Sequence, residues 1–264
     1  MKKKNNLRET LSFFIPLIPS PYSINLEEIG RLYFWLSPLL GVVINGIGLI
    51  AAYSLIFLGV DTNLAAIVLL VLFYLLRGLR LIDGYADLCD GISYYFTRQD
   101  ENAEKAWQII RSPARGAFGF LWVGLLLISQ WVLSSHLLNR SLAEMLTIYI
   151  LCAASGSLAV LTAHLGKPAY RIDSGFDLMG IQLSRPVPWF ILLDVFVITG
   201  IIFWQTVFLS QIGVWLVLFT VLSGLFCGWI LRAIVLGSLR GLNGDFIGFI
   251  TLISETVTLF VLLL

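Results

Sequence analysis

Three aspartates stand close together between Leu81 and Gly91, in a stretch that reads Leu-Ile-Asp-Gly-Tyr-Ala-Asp-Leu-Cys-Asp-Gly. Asp83, Asp87 and Asp90 are separated by four and then three residues, so a helix places them on one face. Like charges at this spacing destabilise a helix, which favours a bound cation. Carboxylate oxygens are the ligands that Mg²⁺ and Mn²⁺ prefer. The pattern therefore predicts a divalent metal site, and the alternative is a solvated acidic face at a helix end.

A second cluster, Arg240-Gly241-Leu242-Asn243-Gly244-Asp245, precedes the last apolar run of the chain. Asp245 is a candidate fourth metal ligand or a general base, or alternatively the cap of the following helix. Glu255 lies inside that apolar run, where a carboxylate usually faces a protein interior or a wet cavity. A protonated glutamate bonded to a neighbouring helix would give the same sequence.

Basic residues accompany these acids and are candidate phosphate ligands. Arg111 and Arg115 precede the third predicted span. Lys167 and Arg171 lie in the next predicted inner loop, with Arg185 further along that loop. Each is equally suited to orient the chain in a bilayer or to bind anionic lipid headgroups. Acidic metal ligands combined with basic clamps are the parts that phosphoryl transfer requires, because its transition state needs charge neutralisation and alignment.

The elements that position these residues are membrane helices. Of 264 residues, 58% are hydrophobic and 12% are charged, and the mean hydropathy is +0.91. This composition predicts an all-α, polytopic integral membrane bundle in contact with lipid, formed by one domain over residues 1–264. A net charge of +1 argues against nucleic acid as a partner. The sequence leaves a homo-oligomer open.

Hydropathy predicts seven spans. They cover about 34–59, 63–79, 118–138, 145–165, 189–209, 212–235 and 246–264. The second is the weakest, and one reading continues it past Arg77 and Arg80 as a single helix. The apolar stretch 11–18 is too short to span and is expected to be re-entrant or interfacial, and the N-terminus is expected to be retained.

The basic residues predict the orientation. If the N-terminus is inside and each span crosses once, 16 of the 17 Lys and Arg residues fall on the inner side and only Arg140 falls outside. This bias predicts a multi-pass protein of the cell (inner) membrane, with the N-terminus and the acidic site on the cytoplasmic face.

Four motifs, in order along the chain, resemble the cobalamin synthase (adenosylcobinamide-GDP ribazoletransferase) family. The family pattern His-Leu-Asp-Gly-x-x-Asp-x-x-Asp-Gly is similar to residues 81–91, and Ile-Gly-Ala-Phe-Gly is similar to residues 115–119. Tyr-Phe-Pro-x-x-Gly resembles residues 35–41, and Gly-Gly-x-Thr-Gly-Asp-x-x-Gly resembles residues 240–248. The chain looks like a divergent member of this family.

The resemblance implies a Mg²⁺-dependent transferase, with Mn²⁺ as a substitute, in the last steps of cobalamin biosynthesis. A ribose hydroxyl of α-ribazole, or of its 5′-phosphate, would attack the β-phosphorus of adenosylcobinamide-GDP and release GMP. Asp83, Asp87 and Asp90 carry over as metal ligands, with a catalytic role also for Asp90. Asp245 carries over as a further ligand or base, and Arg111 as a phosphate contact.

Several polar positions of the family pattern differ in this chain. Leu81 replaces histidine, Asn243 replaces threonine, and Ile15, Ser112 and Ala114 stand where polar or charged residues are expected. A paralogue that uses another nucleotide-activated alcohol is therefore an alternative. A CDP-alcohol phosphotransferase-like enzyme is a second, although its own aspartate pattern is missing from this sequence. A transporter without catalysis is a third.

Overall fold

The computed structural model describes residues 26–97, 103–112, 116–165 and 214–264, with five isolated positions between 189 and 200. Side chains are described from residue 41 onward, except those of residues 214 and 217. The described regular structure is all helical. The helices are α1 (Leu26–Phe57), α2 (Thr62–Arg77), α3 (Arg80–Thr97), α4 (Ala103–Ile110), α5 (Ala117–Leu137), α6 (Leu142–Ala163), α7 (Val214–Leu239) and α8 (Asp245–Leu263).

Among the described residues, four helices are long and apolar enough to cross a membrane: α5, α6, α7 and α8. The bent pair of α2 and α3 raises this number to five if it forms one span. The all-helical membrane class and the predicted spans near 118–138, 145–165, 212–235 and 246–264 are thus confirmed. Most of the predicted span at 189–209 and the stretch 11–18 lie outside the described residues, and a total of seven stays a prediction.

A single helix running from the second span into the aspartate stretch is wrong. The chain bends by 92° between α2 and α3. Gly78 ends α2 with φ +77° and ψ 151°, a conformation that is accessible essentially only to glycine. The bend turns the aspartate-bearing helix away from the axis of α2.

At the end of the bundle opposite to α3, side-chain caps from neighbouring residues define where two helices begin. The Asp61 carboxylate accepts the Asn63 N–H at 2.8 Å and caps α2. Ser141 and Glu144 form a capping box at the start of α6, which satisfies two amides reciprocally. Trp131 of α5 donates to the Asn63 carbonyl and so joins two helices at this end.

The helix α6 forms the centre of the bundle, and α7, α8 and α1 pack around it. Nearly all of its side chains from Met145 to Ala163 are buried. The helix α8 packs against both α6 and α3. It therefore connects the apolar centre to the aspartate helix.

A buried ion pair joins α2 to α8. Arg77 Nη1 lies 2.7 and 2.8 Å from the two carboxylate oxygens of Glu255. The side chains are only 9% and 6% exposed, respectively. The guanidinium also lies 4.5 Å from the ring centroid of Phe73. Glu255 thus faces the protein interior, where it is bonded to an arginine on a neighbouring helix.

Further buried hydrogen bonds cross between the helices near this pair. The Tyr74 hydroxyl donates to Gln130 at 2.6 Å, and Gln130 donates to Thr256 at 3.0 Å. Ser134 and Tyr149 share a bond of 2.9 Å. These contacts link α2, α5, α6 and α8 and satisfy polar groups that lipid could not.

In the described part of the chain, two of the basic residues predicted on the inner side have bonds inside the bundle. Arg77 pairs with Glu255, and Arg232 of α7 donates to the Ala163 carbonyl at 2.7 Å. Without these two, 14 Lys and Arg residues are still predicted on the inner side and one, Arg140, on the outer side. The bias that predicts the orientation therefore does not depend on them.

Gly78→Ala should destabilise the protein, because a Cβ is strained at this φ and ψ. We expect a loss of about 1–3 kcal/mol in the free energy of unfolding, measured by denaturant titration in detergent micelles. Gly46→Ala in α1 is the control, since a Cβ there meets nothing within 4 Å. Equal effects of the two substitutions would contradict a role of Gly78 in the bend.

Glu255→Leu should destabilise the protein strongly, because it leaves the Arg77 guanidinium buried without its counter-charge. The expected cost is about 3–5 kcal/mol, whereas a doubly apolar replacement of a buried pair is often neutral. The double variant Arg77→Met/Glu255→Leu should therefore recover most of the lost thermal midpoint. A double variant as unstable as the single one would show that the two side chains act independently.

Candidate functional site

The aspartate helix α3 touches the start of α8 backbone to backbone. A Cβ placed on Gly84 would lie 2.8 Å from both the Cα and the carbonyl oxygen of Asp245. No side chain fits between the two helices at this point. Gly84 therefore admits the backbone of α8.

The same contact is repeated in the opposite direction. A Cβ on Gly248 of α8 would lie 3.0 Å from the Leu81 Cα and would overlap the Leu81 carbonyl. Directly after the two glycines, the rings of Tyr85 on α3 and Phe249 on α8 stack with centroids 5.6 Å apart. The registers of α3 and α8 are therefore fixed over the first turns of both helices.

Asp245 is the first residue of α8 and is half-buried. Asn243 donates to its carboxylate at 2.5 Å. The other side-chain atom of Asn243, Oδ1, is buried and has no hydrogen-bond partner. The sequence assigns no role to Asn243 beyond the replacement of threonine, yet its i, i+2 spacing to an aspartate in a turn is the local signal for this bond.

Asp83 and Asp87 lie on either side of the contact between α3 and α8. Asp83 directly precedes Gly84 and is exposed, whereas Asp87 follows Gly84 by three residues and is half-buried. Residues at i and i+3 share a helix face. Asp87 and Gly84 therefore face the same side of α3, the side on which α8 begins.

Asp90 is in a different environment. Its side chain is 5% exposed, and its carboxylate accepts the Gly116 N–H at 2.8 Å and the Gly119 N–H at 2.7 Å. These amides belong to the first turn of α5, where Gly116 offers no capping side chain of its own. Asp90 lies about 10 Å along the helix axis from Asp83, since each residue rises 1.5 Å.

Arg111 is exposed and follows α4 directly. Its N–H donates to the Trp107 carbonyl, and the Trp107 indole donates to the Leu239 carbonyl at the end of α7 at 2.8 Å. The helix α4 is thereby attached to the residues that lead into the cluster 240–245. Among the predicted basic ligands, Arg115, Lys167, Arg171 and Arg185 lie outside the described residues.

Glu255 is not part of this site. It lies ten residues beyond Asp245 on α8, which corresponds to about 15 Å along the helix. Its carboxylate is bonded to Arg77 inside the bundle. The intramembrane glutamate and Asp245 thus belong to separate environments.

The donor set at the contact of α3 and α8 suits a hard cation that also binds substrate. It contains the carboxylates of Asp83, Asp87 and Asp245 and the buried, unpartnered Oδ1 of Asn243. Within the described part of the chain, no three His, Cys, Asp or Glu side chains converge closely enough to enclose an ion. Mg²⁺ typically takes one or two protein carboxylates and completes its shell with water and phosphate oxygens. The donor set here is open and contains only oxygen atoms, which is the kind of protein site that Mg²⁺ uses in this way.

Gly84→Ala should separate α3 from α8, because both neighbours of the new methyl group are backbone atoms that cannot rotate away. We expect a loss of about 1–3 kcal/mol of stability, as for other overpacked positions, measured by thermal unfolding in detergent. Gly237→Ala on α7 is the matched control, since a Cβ there meets nothing within 4 Å. A wild-type midpoint for Gly84→Ala would argue against a tight contact.

Comparison with known proteins gives a consistent result. The family model for cobalamin-5-phosphate synthase (CobS) matches residues 7–263. An adenosylcobinamide-GDP ribazoletransferase of Clostridium perfringens strain 13 is 27% identical over 93% of this chain and 92% of its own length. Proteins of the same name from Clostridium botulinum strain Kyoto and from Chlorobaculum parvum are 28% and 27% identical, over 95% and 94% of this chain and 94% and 91% of their own lengths, respectively.

No solved structure matches the chain. The resemblance predicted from the four motifs is confirmed by the family model and by the relatives. Because the model covers nearly the whole sequence, this protein is an enzyme of the cobalamin-5-phosphate synthase family.

Proposed function

We propose that the protein transfers the adenosylcobinamide-phosphate group from adenosylcobinamide-GDP to α-ribazole, or to α-ribazole 5′-phosphate, and releases GMP. The relatives that cover more than nine tenths of the chain are named adenosylcobinamide-GDP ribazoletransferases. The single observation that carries the proposal is the contact of Gly84 with the Asp245 backbone. It brings the first and last acidic motifs together although 160 residues lie between Gly84 and Asp245 in the sequence.

Asp83 and Asp87 would hold Mg²⁺ together with phosphate oxygens of the substrate, and Mn²⁺ would substitute. Both are hard ions that accept carboxylate and phosphate oxygens. When bound, the ion supplies charge neutralisation at the diphosphate. The exposure of Asp83 and the half-burial of Asp87 leave these carboxylates within reach of a water-soluble substrate.

Asp245 would act as the general base or as a further ligand. As the base, its carboxylate takes the proton of the attacking ribose hydroxyl. The hydroxyl oxygen forms a bond to the β-phosphorus, the bond from the β-phosphorus to the bridging oxygen breaks, and GMP leaves with the electron pair. The Asn243 amide, which donates to Asp245, holds the carboxylate in one orientation for this transfer.

Arg111, with Arg115, Lys167 and Arg171, would bind the diphosphate. The exposed guanidinium of Arg111 follows a helix that is attached to the end of α7, so it lies on the same end of the bundle as Asp245. Guanidinium groups bind phosphate with two parallel hydrogen bonds and stabilise the charge that develops in transfer.

The membrane arrangement belongs to the same proposal. The chain would cross the cell membrane about seven times with its N-terminus inside, and the site would face the cytoplasm. Support comes from the distribution of Lys and Arg. The contacts of α3 with α8 and of α4 with the end of α7 lie at one end of the bundle, which agrees with a site at one membrane face.

The test is GMP release by purified protein in detergent with Mg²⁺, adenosylcobinamide-GDP and α-ribazole. Asp87→Asn and Asp245→Asn should each lower kcat/KM by about 100-fold or more, as expected for lost charge neutralisation or lost proton transfer. Asp61→Asn removes the same charge at the opposite end of the bundle and keeps a good helix cap. This control should retain activity.

The rival functions predict other products. CMP release from CDP-activated lipids, without GMP release, would identify a CDP-alcohol phosphotransferase-like enzyme. GMP release with another acceptor alcohol alone would identify a divergent paralogue. A folded protein that releases neither GMP nor CMP would favour a transporter. Wild-type GMP release by Asp87→Asn would remove Asp87 from the site.

A further inference from the structure

We propose that Asp90 is a positioning residue for Arg111, which directly follows α4, and not an ion ligand. This inference rests on the proposed function and deepens it, because it assigns different duties to the three aspartates of one motif. The observations that carry it are the two amide hydrogen bonds of Asp90, its burial, and the packing of the next residue, Gly91.

The Asp90 carboxylate acts as the N-cap of a helix to which it does not belong. It accepts the N–H of Gly116, the capping position of α5, and the N–H of Gly119 in its first turn. An ordinary cap satisfies such amides with the side chain of the capping residue itself. Gly116 has no side chain, and Asp90 supplies the missing acceptor across the helix interface.

The two glycines make room for this carboxylate. A Cβ on Gly119 would lie 2.5 Å from Asp90 Oδ2 and 2.7 Å from the Ala86 carbonyl, and a Cβ on Gly116 would overlap the carboxylate. With its side chain 5% exposed, Asp90 has no space for an ion that retains water and substrate ligands. Its negative charge is instead favourable at the N-terminus of α5.

Gly91 holds the other side of the same segment. A Cβ on Gly91 would lie 2.5 Å from Ile110 side-chain atoms and 3.4 Å from the Ala106 carbonyl. Ile110 is the last residue of α4, and Arg111 follows it directly. Two consecutive residues of α3 therefore fix the end of α4 and the start of α5.

The consequence concerns Arg111. Only four residues separate it from Gly116, so anchors at Ile110 and Gly116 limit where its guanidinium reaches. The helix α3, which contacts both anchors through Asp90 and Gly91, also carries Asp83 and Asp87. These two acids lie two turns and one turn before Asp90. The motif thus sets the distance between the acids predicted to hold the cation and the arginine predicted to hold phosphate.

The experiment separates ligation from positioning by measuring Mn²⁺ affinity and steady-state kinetics on the same variants. Mn²⁺ binding is measured by electron paramagnetic resonance of the free ion, without nucleotide. For Asp90→Ala and Asp90→Asn we expect a Kd for Mn²⁺ within about twofold of wild type, whereas Asp87→Asn should weaken Mn²⁺ binding by about tenfold or more.

Kinetics should show a split between the two Asp90 variants. Asp90→Ala should raise the KM for adenosylcobinamide-GDP by about tenfold with a smaller change in kcat, since the phosphate contact is displaced. Asp90→Asn should be milder, because the amide oxygen still accepts one of the two N–H groups. Gly119→Ala should resemble Asp90→Ala, and Gly124→Ala on the same helix, where a Cβ meets nothing within 4 Å, should be silent.

Hydrogen exchange gives a readout independent of turnover. The Gly119 amide should lose protection in Asp90→Ala and keep part of it in Asp90→Asn, with Gly124→Ala unchanged. Loss of Mn²⁺ affinity in Asp90→Asn equal to that in Asp87→Asn would overturn the inference. If instead Asp83→Asn and Asp87→Asn leave Mn²⁺ binding and GMP release intact, the assignment of these two residues as ion ligands fails. Absence of GMP release by the wild-type protein would overturn the proposed function, whatever Mn²⁺ affinities the Asp90 variants show.

Discussion

The site depends on the direct contact between the backbones of α3 and α8. Gly84 and Gly248 each face backbone atoms of the other helix, so the two helix axes approach more closely than side chains would allow. Small residues at helix interfaces are the usual means of close packing in membranes, where the hydrophobic effect provides no force between helices. Here the close approach also has a chemical consequence, because each glycine lies within one turn of a candidate catalytic acid.

Six of the motif glycines share one physical explanation, close packing, whereas a Cβ on Gly244 would meet nothing within 4 Å. Gly41 of the first motif would place a Cβ 3.0 Å from the Ala153 Cβ and 3.1 Å from Arg77 Nη2. Gly116 and Gly119 accommodate the Asp90 carboxylate, and Gly91 accommodates Ile110. The family resemblance is thus carried largely by positions at which α1, α3, α5 and α8 meet other elements. Leu81 illustrates the same point, since Gly248 packs on its backbone while its side chain packs against the apolar core.

The sequence predicted the features that local information determines. Hydropathy located α5, α6, α7 and α8 to within a few residues, because burial in lipid requires a continuous apolar run. The spacing of Asp83, Asp87 and Asp90 predicted a helix, and α3 is one. What the spacing could not determine was the partner of each acid. Asp90 bonds to amides 26 and 29 residues away, and only the packing of α3 against α5 selects those amides. Similarly, a helical pattern does not reveal that Gly78 adopts a positive φ and turns the chain.

The buried pair of Arg77 and Glu255 links membrane packing to the site. An intramembrane carboxylate is by default a candidate functional residue. In Glu255, however, both carboxylate oxygens accept hydrogen bonds from one guanidinium nitrogen of Arg77. Glu255 follows Asp245 by ten residues on α8, and Arg77 precedes Asp83 by six residues across the bend at Gly78. Because a displaced charge would lose its counter-ion in a medium of low dielectric constant, the pair resists sliding of α8 along its axis. Such sliding is also the motion that would separate Asp245 from Gly84. The ion pair in the bundle interior and the glycine contact at its end therefore impose the same register on α8. A substitution at either contact should change the position of α8 at the other one.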